Sequence, residues 1–238
     1  METKNLKYGL QKMTLLDFPG RVACTVFSSG CNFRCPFCHN AGLVLPDADR
    51  SMLMDQTEIL AFLRKRQGLL DGVCLTGGEP LLFEENLAFL REIKALGYAV
   101  KLDTNGAFPE RLKQAVTDGL ADYVAMDIKN APDSYAETAG LRVDMERIRE
   151  SVDFLRSGAV PYEFRTTVVL PYHTEERMEL IGKWIIGTEK YFLQQYKDEN
   201  VDLLGDPATM RPAEKAQLET FLAIVRKYVP GAELRGIE

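Results

Sequence analysis

The chain has 238 residues, of which 46% are hydrophobic and 27% are charged, a composition typical of a globular protein. Its net charge is −6, with 29 basic and 35 acidic residues spread along the sequence, which argues against a nucleic-acid binder that uses a basic face. No apolar run has the length of a membrane span, and the first ten residues lack the apolar centre of a secretory signal. We therefore expect a cytoplasmic protein that binds neither nucleic acid nor membranes.

Short apolar runs alternate with longer amphipathic segments along the chain. Six runs rich in Val, Thr, Phe and Tyr are predicted as strands: Val22–Ser28, Gly72–Thr76, Tyr98–Thr104, Tyr123–Ile128, Glu163–Leu170 and Tyr191–Tyr196. Six segments with apolar residues at helical spacing are predicted as helices: Asp55–Arg66, Glu84–Leu96, Pro109–Asp118, Asp144–Arg156, Thr174–Ile186 and Pro212–Tyr228. Gly97 is predicted to end the second helix, and Asp144 is predicted to cap the fourth.

This alternation predicts an α/β fold in which parallel strands are joined by right-handed helical crossovers. The pattern allows two arrangements of the sheet, an open doubly wound sheet or a curved partial barrel. No linker-like change of composition interrupts the sequence, so we expect one domain over residues 1–238.

Polar or glycine-rich residues follow four successive predicted strands. They are the segments 30–39, Gly77-Gly78-Glu79-Pro80, Asp103-Thr104-Asn105-Gly106 and Asp127-Ile128-Lys129. Because the carboxyl ends of parallel strands meet at one edge, we expect all four segments to face one mouth.

The first of these segments contains Cys31, Cys35 and Cys38 in the spacing C-x₃-C-x₂-C. In a reducing compartment this clustering favours metal ligands over disulfides. Structural zinc is disfavoured because His39 is adjacent to Cys38 and the chain has no second pair of clustered cysteines. Iron–sulfur clusters usually take four ligands, so three thiolates would hold a [4Fe-4S] cluster with one iron open. Cys24 and Cys74 lie alone within predicted strands and are interpreted as buried core residues.

The motif C-x₃-C-x-aromatic-C after a first strand resembles the signature of radical S-adenosylmethionine (SAM) enzymes, and the later strand ends follow in that family's order. The resemblance implies a partial (β/α)₆ TIM-like barrel. It also implies that SAM binds the open iron through its amino and carboxylate groups and is reductively cleaved to a 5′-deoxyadenosyl radical, which abstracts a hydrogen atom.

The resemblance assigns SAM contacts to several residues. Phe37 corresponds to an aromatic residue near the adenine, and the motif Gly77, Gly78 and Glu79 binds the methionine amino group. The remaining positions are Asp103 near the amino group, Asp127 near the ribose, Lys129 near the carboxylate, and Arg165 on the fifth strand. Thr104 and Asn105, which follow Asp103 in the same motif, are also assigned to the SAM site.

Each of these assignments has an alternative. Phe37 could anchor the loop in the core, the glycine motif could form a turn, and the Asp and Asn residues could serve as turn and cap residues. Arg165 could form an ordinary salt bridge at the rim. The sixth strand lacks the His that reaches the ribose in pyruvate formate-lyase activases, so Gln194 or Gln195 would replace it. His173 is expected to face solvent from a loop.

Two further resemblances point to one group within the radical SAM enzymes. Cys38-His39-Asn40 is typical of glycyl-radical-enzyme activases, and Leu15-Leu16-Asp17-Phe18-Pro19-Gly20-Arg21 resembles the lead-in of anaerobic ribonucleoside-triphosphate reductase activating proteins. This implies that the partner is a glycyl-radical enzyme and that the electron donor is of flavodoxin or ferredoxin type. Activation of pyruvate formate-lyase or another glycyl-radical enzyme, radical modification of a small molecule, and a non-catalytic iron–sulfur carrier remain alternatives.

Overall fold

A computed structural model describes residues 6–45, 50–197 and 203–237. The strands are β1 (Lys7–Thr14), β2 (Ala23–Ser28), β3 (Met54–Asp55), β4 (Gly72–Gly77), β5 (Ala99–Thr104), β6 (Tyr123–Asp127), β7 (Tyr162–Leu170), β8 (Tyr191–Gln195), β9 (Arg211–Pro212) and β10 (Ala232–Arg235). The helices are α1 (Ala41–Val44), α2 (Gln56–Arg64), α3 (Glu85–Ala95), α4 (Pro109–Thr117), α5 (Tyr135–Ala139), α6 (Met145–Arg156), α7 (Glu175–Trp184) and α8 (Lys215–Arg226). Two short 3₁₀ helices span Pro80–Leu82 and Pro207–Thr209.

The main sheet is parallel through its centre. Strands β2, β4, β5, β6, β7, β8 and β10 pair in parallel in that order. Strand β1 pairs antiparallel with β2, and β3 pairs antiparallel with β1. Among the described strands the order runs from β10 to β3 without the two ends joining, so the sheet is unclosed. The parallel strands β2 to β8 follow one another in chain order without the reversal of a doubly wound sheet, as in a partial barrel. The predicted α/β fold with a partial barrel is confirmed.

All six predicted strands and all six predicted helices are present, with shifts of a residue or more at most ends. The predicted stop of the second helix and the predicted cap of the fourth are both present. Gly97 has a φ of +87° directly after the α3 C-cap, and Asp144 caps α6 by accepting a hydrogen bond from the Glu146 amide at 3.1 Å.

The largest difference in a predicted element lies at the start of the last helix. That helix was expected from Pro212, but α8 begins at Lys215. Arg211 and Pro212 instead form β9, which pairs antiparallel with Leu170 and Val169 of β7. A proline is tolerated in so short an edge strand, where its missing N–H breaks no ladder.

The helices bury their apolar faces against the outer face of the sheet. Helix α8, for example, buries Leu218, Phe221, Leu222 and Val225. Cys24 and Cys74 are fully buried in β2 and β4, as predicted.

The amino-terminal ends of the strands are closed by the lead-in segment, residues 15–21. Phe18 is 3% exposed and packs with Ala23, Ala99 and Tyr123, which are the first residues of β2, β5 and β6. Thr25 donates a 2.5 Å hydrogen bond to Asp17. The lead-in therefore lies at the end of the barrel opposite the predicted mouth.

Candidate active site

A cavity of about 420 Å³ opens at the carboxyl ends of the parallel strands. Its lining includes residues from all four polar strand-end segments: Cys31, Cys35, Phe37, Cys38, Gly77, Gly78, Asp103, Thr104, Asn105, Asp127 and Lys129. Arg165, Gln194 and Gln195 also line it. The predicted common mouth is thus confirmed as geometry, while the assignment of these residues to SAM stays a prediction.

The backbone of the second strand end holds the cysteine loop in place. Gly78 and Glu79 donate amide hydrogen bonds of 2.8 Å each to the carbonyl oxygens of Ser28 and Gly30. Gly77 has a φ of +109°, and a β-carbon there would lie 2.6 Å from the Ser28 nitrogen. Both glycines are required by this close approach of two strand ends.

The far side of the cysteine loop is also anchored. Arg34 donates its amide to Ala139 at 2.8 Å, and a β-carbon on Gly140 would lie 1.8 Å from the Arg34 carbonyl oxygen. The Asn40 side chain donates to the Gly77 carbonyl at 3.1 Å, which links the end of the loop back to β4. The loop is therefore held on two sides by backbone contacts.

The three loop cysteines are free thiols on the cavity wall. Burial raises the pKa of Cys31 to about 12, so this thiol is protonated until a metal displaces the proton. The Phe33 amide donates to Cys31 Sγ at 3.3 Å, and Asn105 Nδ2 lies 3.9 Å from the same sulfur. N–H groups directed at sulfur are typical around iron–sulfur clusters, where they modulate the reduction potential.

Three thiolates on one loop are a donor set of the type that a cluster takes. Within the described ranges, no group of three or more His, Cys, Asp or Glu side chains is arranged to hold a single metal ion such as tetrahedral zinc. In a four-iron cluster, by contrast, each thiolate binds a different iron, so three sulfurs spread along one loop are suitable ligands.

A network of buried charges lies at the cavity wall, where Asp103, Asp127, Lys129 and Arg165 line the cavity. Arg165 donates to Asp103 Oδ2 at 3.0 Å and to Asp127 Oδ1 at 3.0 Å, so one guanidinium bridges two strand ends. Lys129 pairs with Asp127 Oδ2 at 2.8 Å, and Lys101 pairs with Asp103. The Arg165 side chain is only 14% exposed, which places it within the cavity wall and not in an ordinary salt bridge at an exposed rim.

The two carboxylates stay ionised despite their burial. Burial raises the pKa of Asp127, but the charges of Lys129 and Arg165 outweigh it and bring the value down to about 2. Burial likewise opposes ionisation of Asp103, and the charges of Arg165 and Lys101 lower its pKa below the ordinary value. The wall therefore carries fixed charges of both signs.

Glu79 differs in orientation from the other motif residues. It is fully buried and is not among the residues that line the cavity. Its carboxylate accepts hydrogen bonds from the Leu81 amide at 2.9 Å, the Thr104 hydroxyl at 2.8 Å and the Asn105 amide at 2.7 Å. Burial raises its pKa to about 7 in spite of these donors. In this arrangement Glu79 joins the ends of β4 and β5 and thereby positions Asn105.

The expectation that His173 faces solvent is wrong. His173 is fully buried, with Nδ1 3.0 Å from the Val169 amide and Nε2 3.0 Å from the Lys129 carbonyl. Hence Nδ1 accepts and Nε2–H donates, in the neutral form. The ring connects the end of β7 to the backbone of Lys129. No local sequence pattern indicates this contact, because the two residues are 44 positions apart along the chain.

Several cavity residues carry no motif and were missed in the sequence. Thr76 and Thr167 line the cavity from β4 and β7, and Tyr196 and Lys197 line it after β8. Phe37 packs with Val169, Tyr196 and Met210, so it both lines the cavity and anchors the loop in an apolar cluster. Because side chains alternate between the two faces of a strand, the positions of the two threonines on β4 and β7 could have been assigned to the cavity once the location of the mouth was known.

The Radical SAM superfamily model matches residues 25–185 of the chain. The chain belongs to the radical SAM superfamily. The match begins in β2 and ends just after α7, so it covers the cysteine loop and every strand-end segment described above.

Two relatives match this radical SAM chain over nearly its whole length. One, from Methanocaldococcus jannaschii, is named "Putative glycyl-radical enzyme activating enzyme MJ1227" and is 31% identical over 98% of this chain and 97% of its own. The other is the pyruvate formate-lyase-activating enzyme of Clostridium pasteurianum, 31% identical over 90% of this chain and 95% of its own.

A solved structure supports the fold. The crystal structure of a domain of pyruvate-formate lyase-activating enzyme from Bacteroides vulgatus matches with a TM-score of 0.56 at 19% identity, over 69% of this chain and 99% of that chain. At this identity the match supports the fold alone. Within the described residues, no helix is long and apolar enough to cross a membrane.

Proposed function

We propose that this radical SAM enzyme activates a glycyl-radical enzyme by removing a hydrogen atom from a glycine of that partner. The observation that carries the proposal is the meeting of the three loop cysteines with Asp103, Asp127, Lys129 and Arg165 around one cavity. Two relatives that match at least 90% of the chain are both named as activating enzymes, one of them for glycyl-radical enzymes in general.

The residues divide into two binding groups. Cys31, Cys35 and Cys38 would hold a [4Fe-4S] cluster, which when bound supplies the electron for reductive cleavage of SAM. Asp103 would accept hydrogen bonds from the SAM amino group, and Lys129 would pair with its carboxylate. Asp127 would accept from the ribose hydroxyls.

Three further contributions to the SAM site are proposed. Phe37 would pack near the adenine, and Gln194 or Gln195 would take the place of the absent ribose-binding His. Arg165 would keep Asp103 and Asp127 apart and ionised, since its guanidinium bonds both.

For the partner, we propose anaerobic ribonucleoside-triphosphate reductase, on the basis of the lead-in residues 15–21. That segment lies at the end of the barrel far from the cavity. Its resemblance therefore indicates that the chain is related to those activating proteins, and does not indicate that the segment contacts the partner. Pyruvate formate-lyase is the second candidate, because its activating enzyme from C. pasteurianum is 31% identical over 90% of this chain. A flavodoxin- or ferredoxin-type protein in the cytoplasm would donate the electron.

The proposal is tested by anaerobic reconstitution with iron and sulfide, followed by addition of SAM, a reductant and each candidate partner. Electron paramagnetic resonance should detect a glycyl radical on one partner and none on a matched partner whose radical-bearing glycine is replaced by alanine. Cleavage of SAM without a radical on any glycyl-radical enzyme would contradict activase function and favour a small-molecule substrate. Cluster formation with no SAM cleavage would favour an electron carrier.

A further inference from the structure

Lys101 is a buried lysine that lies below the cavity and not on its wall. Its side chain is 2% exposed, and it is not among the residues that line the cavity. Its ammonium group bonds Asp103 Oδ1 and lies 3.9 Å from Cys74 Sγ. A buried lysine is costly to ionise unless its charge is paired, so its position calls for an explanation.

The register of the sheet explains why Lys101 reaches Asp103. The two residues are separated by one position on β5, so alternation places both side chains on the inner face of the barrel. Lys101 occupies one carboxylate oxygen of Asp103, and Arg165 occupies the other at 3.0 Å. Together the two cations fix the rotamer of Asp103 at the mouth.

Arg165 alone cannot neutralise the charge of the Asp103 carboxylate, because its guanidinium also donates a hydrogen bond to Asp127 at 3.0 Å. The charged or titratable groups that face Asp103 are Lys101 on β5, Cys74 on β4, Asp127 on β6 and Arg165 on β7. Without Lys101, two buried carboxylates would share one guanidinium, with Lys129 paired to Asp127. Burial would then favour the protonated form of Asp103.

We propose that Lys101 is a positioning residue that holds the Asp103 carboxylate, ionised and correctly oriented, for the amino group of SAM. This inference rests on the proposed function, because it assumes that SAM binds in the cavity. Lys101 touches neither the cavity nor its occupant and acts through Asp103. A neutral Asp103 would bind an ammonium group less well, since the charge-assisted hydrogen bond would be lost.

The test measures SAM binding to the cluster-loaded protein by anaerobic calorimetry without reductant, so that no cleavage occurs. The Kd of Lys101→Met, divided by the wild-type Kd at the same pH, is compared between about pH 8.5 and about pH 6. The ratio cancels titrations common to both proteins, such as those of Glu79 and SAM itself. We expect the ratio to rise about tenfold or more as the pH falls, because Asp103 takes up a proton in the variant alone.

Two further variants separate positioning from a general structural effect. In an Asp103→Asn background, Lys101→Met should change the Kd for SAM by less than about twofold, because the carboxylate through which Lys101 acts is already absent. If Lys101→Met alone does not fold, Lys101→Gln takes its place, because its amide can still donate a hydrogen bond to Asp103 but carries no charge, and the same rise of the Kd ratio is expected. Lys94→Met is the matched control, because Lys94 pairs with Asp122 at the surface.

A pH-independent ratio, or an equal effect of Lys101→Met with and without Asp103, would overturn the role of Lys101. Failure of the wild-type protein to bind SAM would instead overturn the proposed function.

Discussion

Gly78 packs directly against the backbone of Gly30, so that a β-carbon on Gly78 would lie 2.0 Å from the Gly30 carbonyl oxygen. The Glu79 amide donates to that same oxygen at 2.8 Å. Gly30 immediately precedes Cys31, so this contact sets the position from which the cysteine loop begins. The glycine pair thus has a structural role in addition to any contact with SAM.

Gly78→Ala should therefore displace the cysteine loop. We expect the free energy of unfolding to fall by about 2–3 kcal/mol, as in overpacked sites, and the iron bound after reconstitution to decrease. Chemical denaturation and iron analysis measure the two effects. Gly42→Ala is the control, because Gly42 has no heavy atom within 4 Å of its added β-carbon and should change stability by less than about 0.5 kcal/mol. Equal behaviour of the two variants would contradict the packing argument.

Arg165→Gln should leave Asp103 and Asp127 facing each other without their shared cation. Breaking a buried ion pair from one side costs about 3–5 kcal/mol, and we expect a loss of that order in denaturation experiments. Arg91→Gln provides the comparison, because the Arg91 side chain is 49% exposed and its pair with Asp118 should contribute less than about 1 kcal/mol. A small loss for Arg165→Gln would mean that solvent screens the network.

His173 should make stability depend on pH. Burial lowers its pKa from the ordinary 6.5 to about 4, so the unfolded chain binds a proton that the folded chain does not between these values. This contribution is fully present above about pH 6.5, is lost as the pH falls toward 4, and amounts to about 3 kcal/mol. His173→Gln, which can still donate and accept hydrogen bonds, should show a shallower loss of stability over this range. Parallel curves for the two proteins would show that His173 titrates normally.

Cys35→Ser should abolish the iron–sulfur absorbance that appears on reconstitution, because hydroxyl is a poor substitute for thiolate at iron. Cys24→Ala should retain that absorbance, since Cys24 is fully buried in β2 and does not line the cavity. Iron and sulfide analysis of the purified proteins measures the difference. Retention of a full cluster in Cys35→Ser would refute the assignment of ligands.

The sequence predicted the fold because its parallel strands are apolar runs separated by amphipathic helices. It predicted the common mouth because polar motifs follow four successive strands whose ends must meet at one edge. Short strands such as β3 and β9 were missed, since two residues carry no periodicity. The seventh parallel strand, β10, has four residues and was missed for the same reason.

The contacts within the site could not be predicted in the same way. The burial of His173 depends on a hydrogen bond to Lys129, 44 positions away in sequence. The orientation of Glu79 depends on donors from the end of β5, and the pairing of Lys101 depends on which face of β5 turns inward. These features arise from the register of neighbouring strands, which residue types alone do not specify.

The most direct test of the central claim is anaerobic incubation of the reconstituted protein with SAM and a strong reductant, followed by chromatography of the products. We expect 5′-deoxyadenosine and methionine in equal amounts from the wild-type protein and neither from Cys35→Ser. A wild-type protein that carries its full cluster, is reduced, and leaves SAM intact would contradict the account.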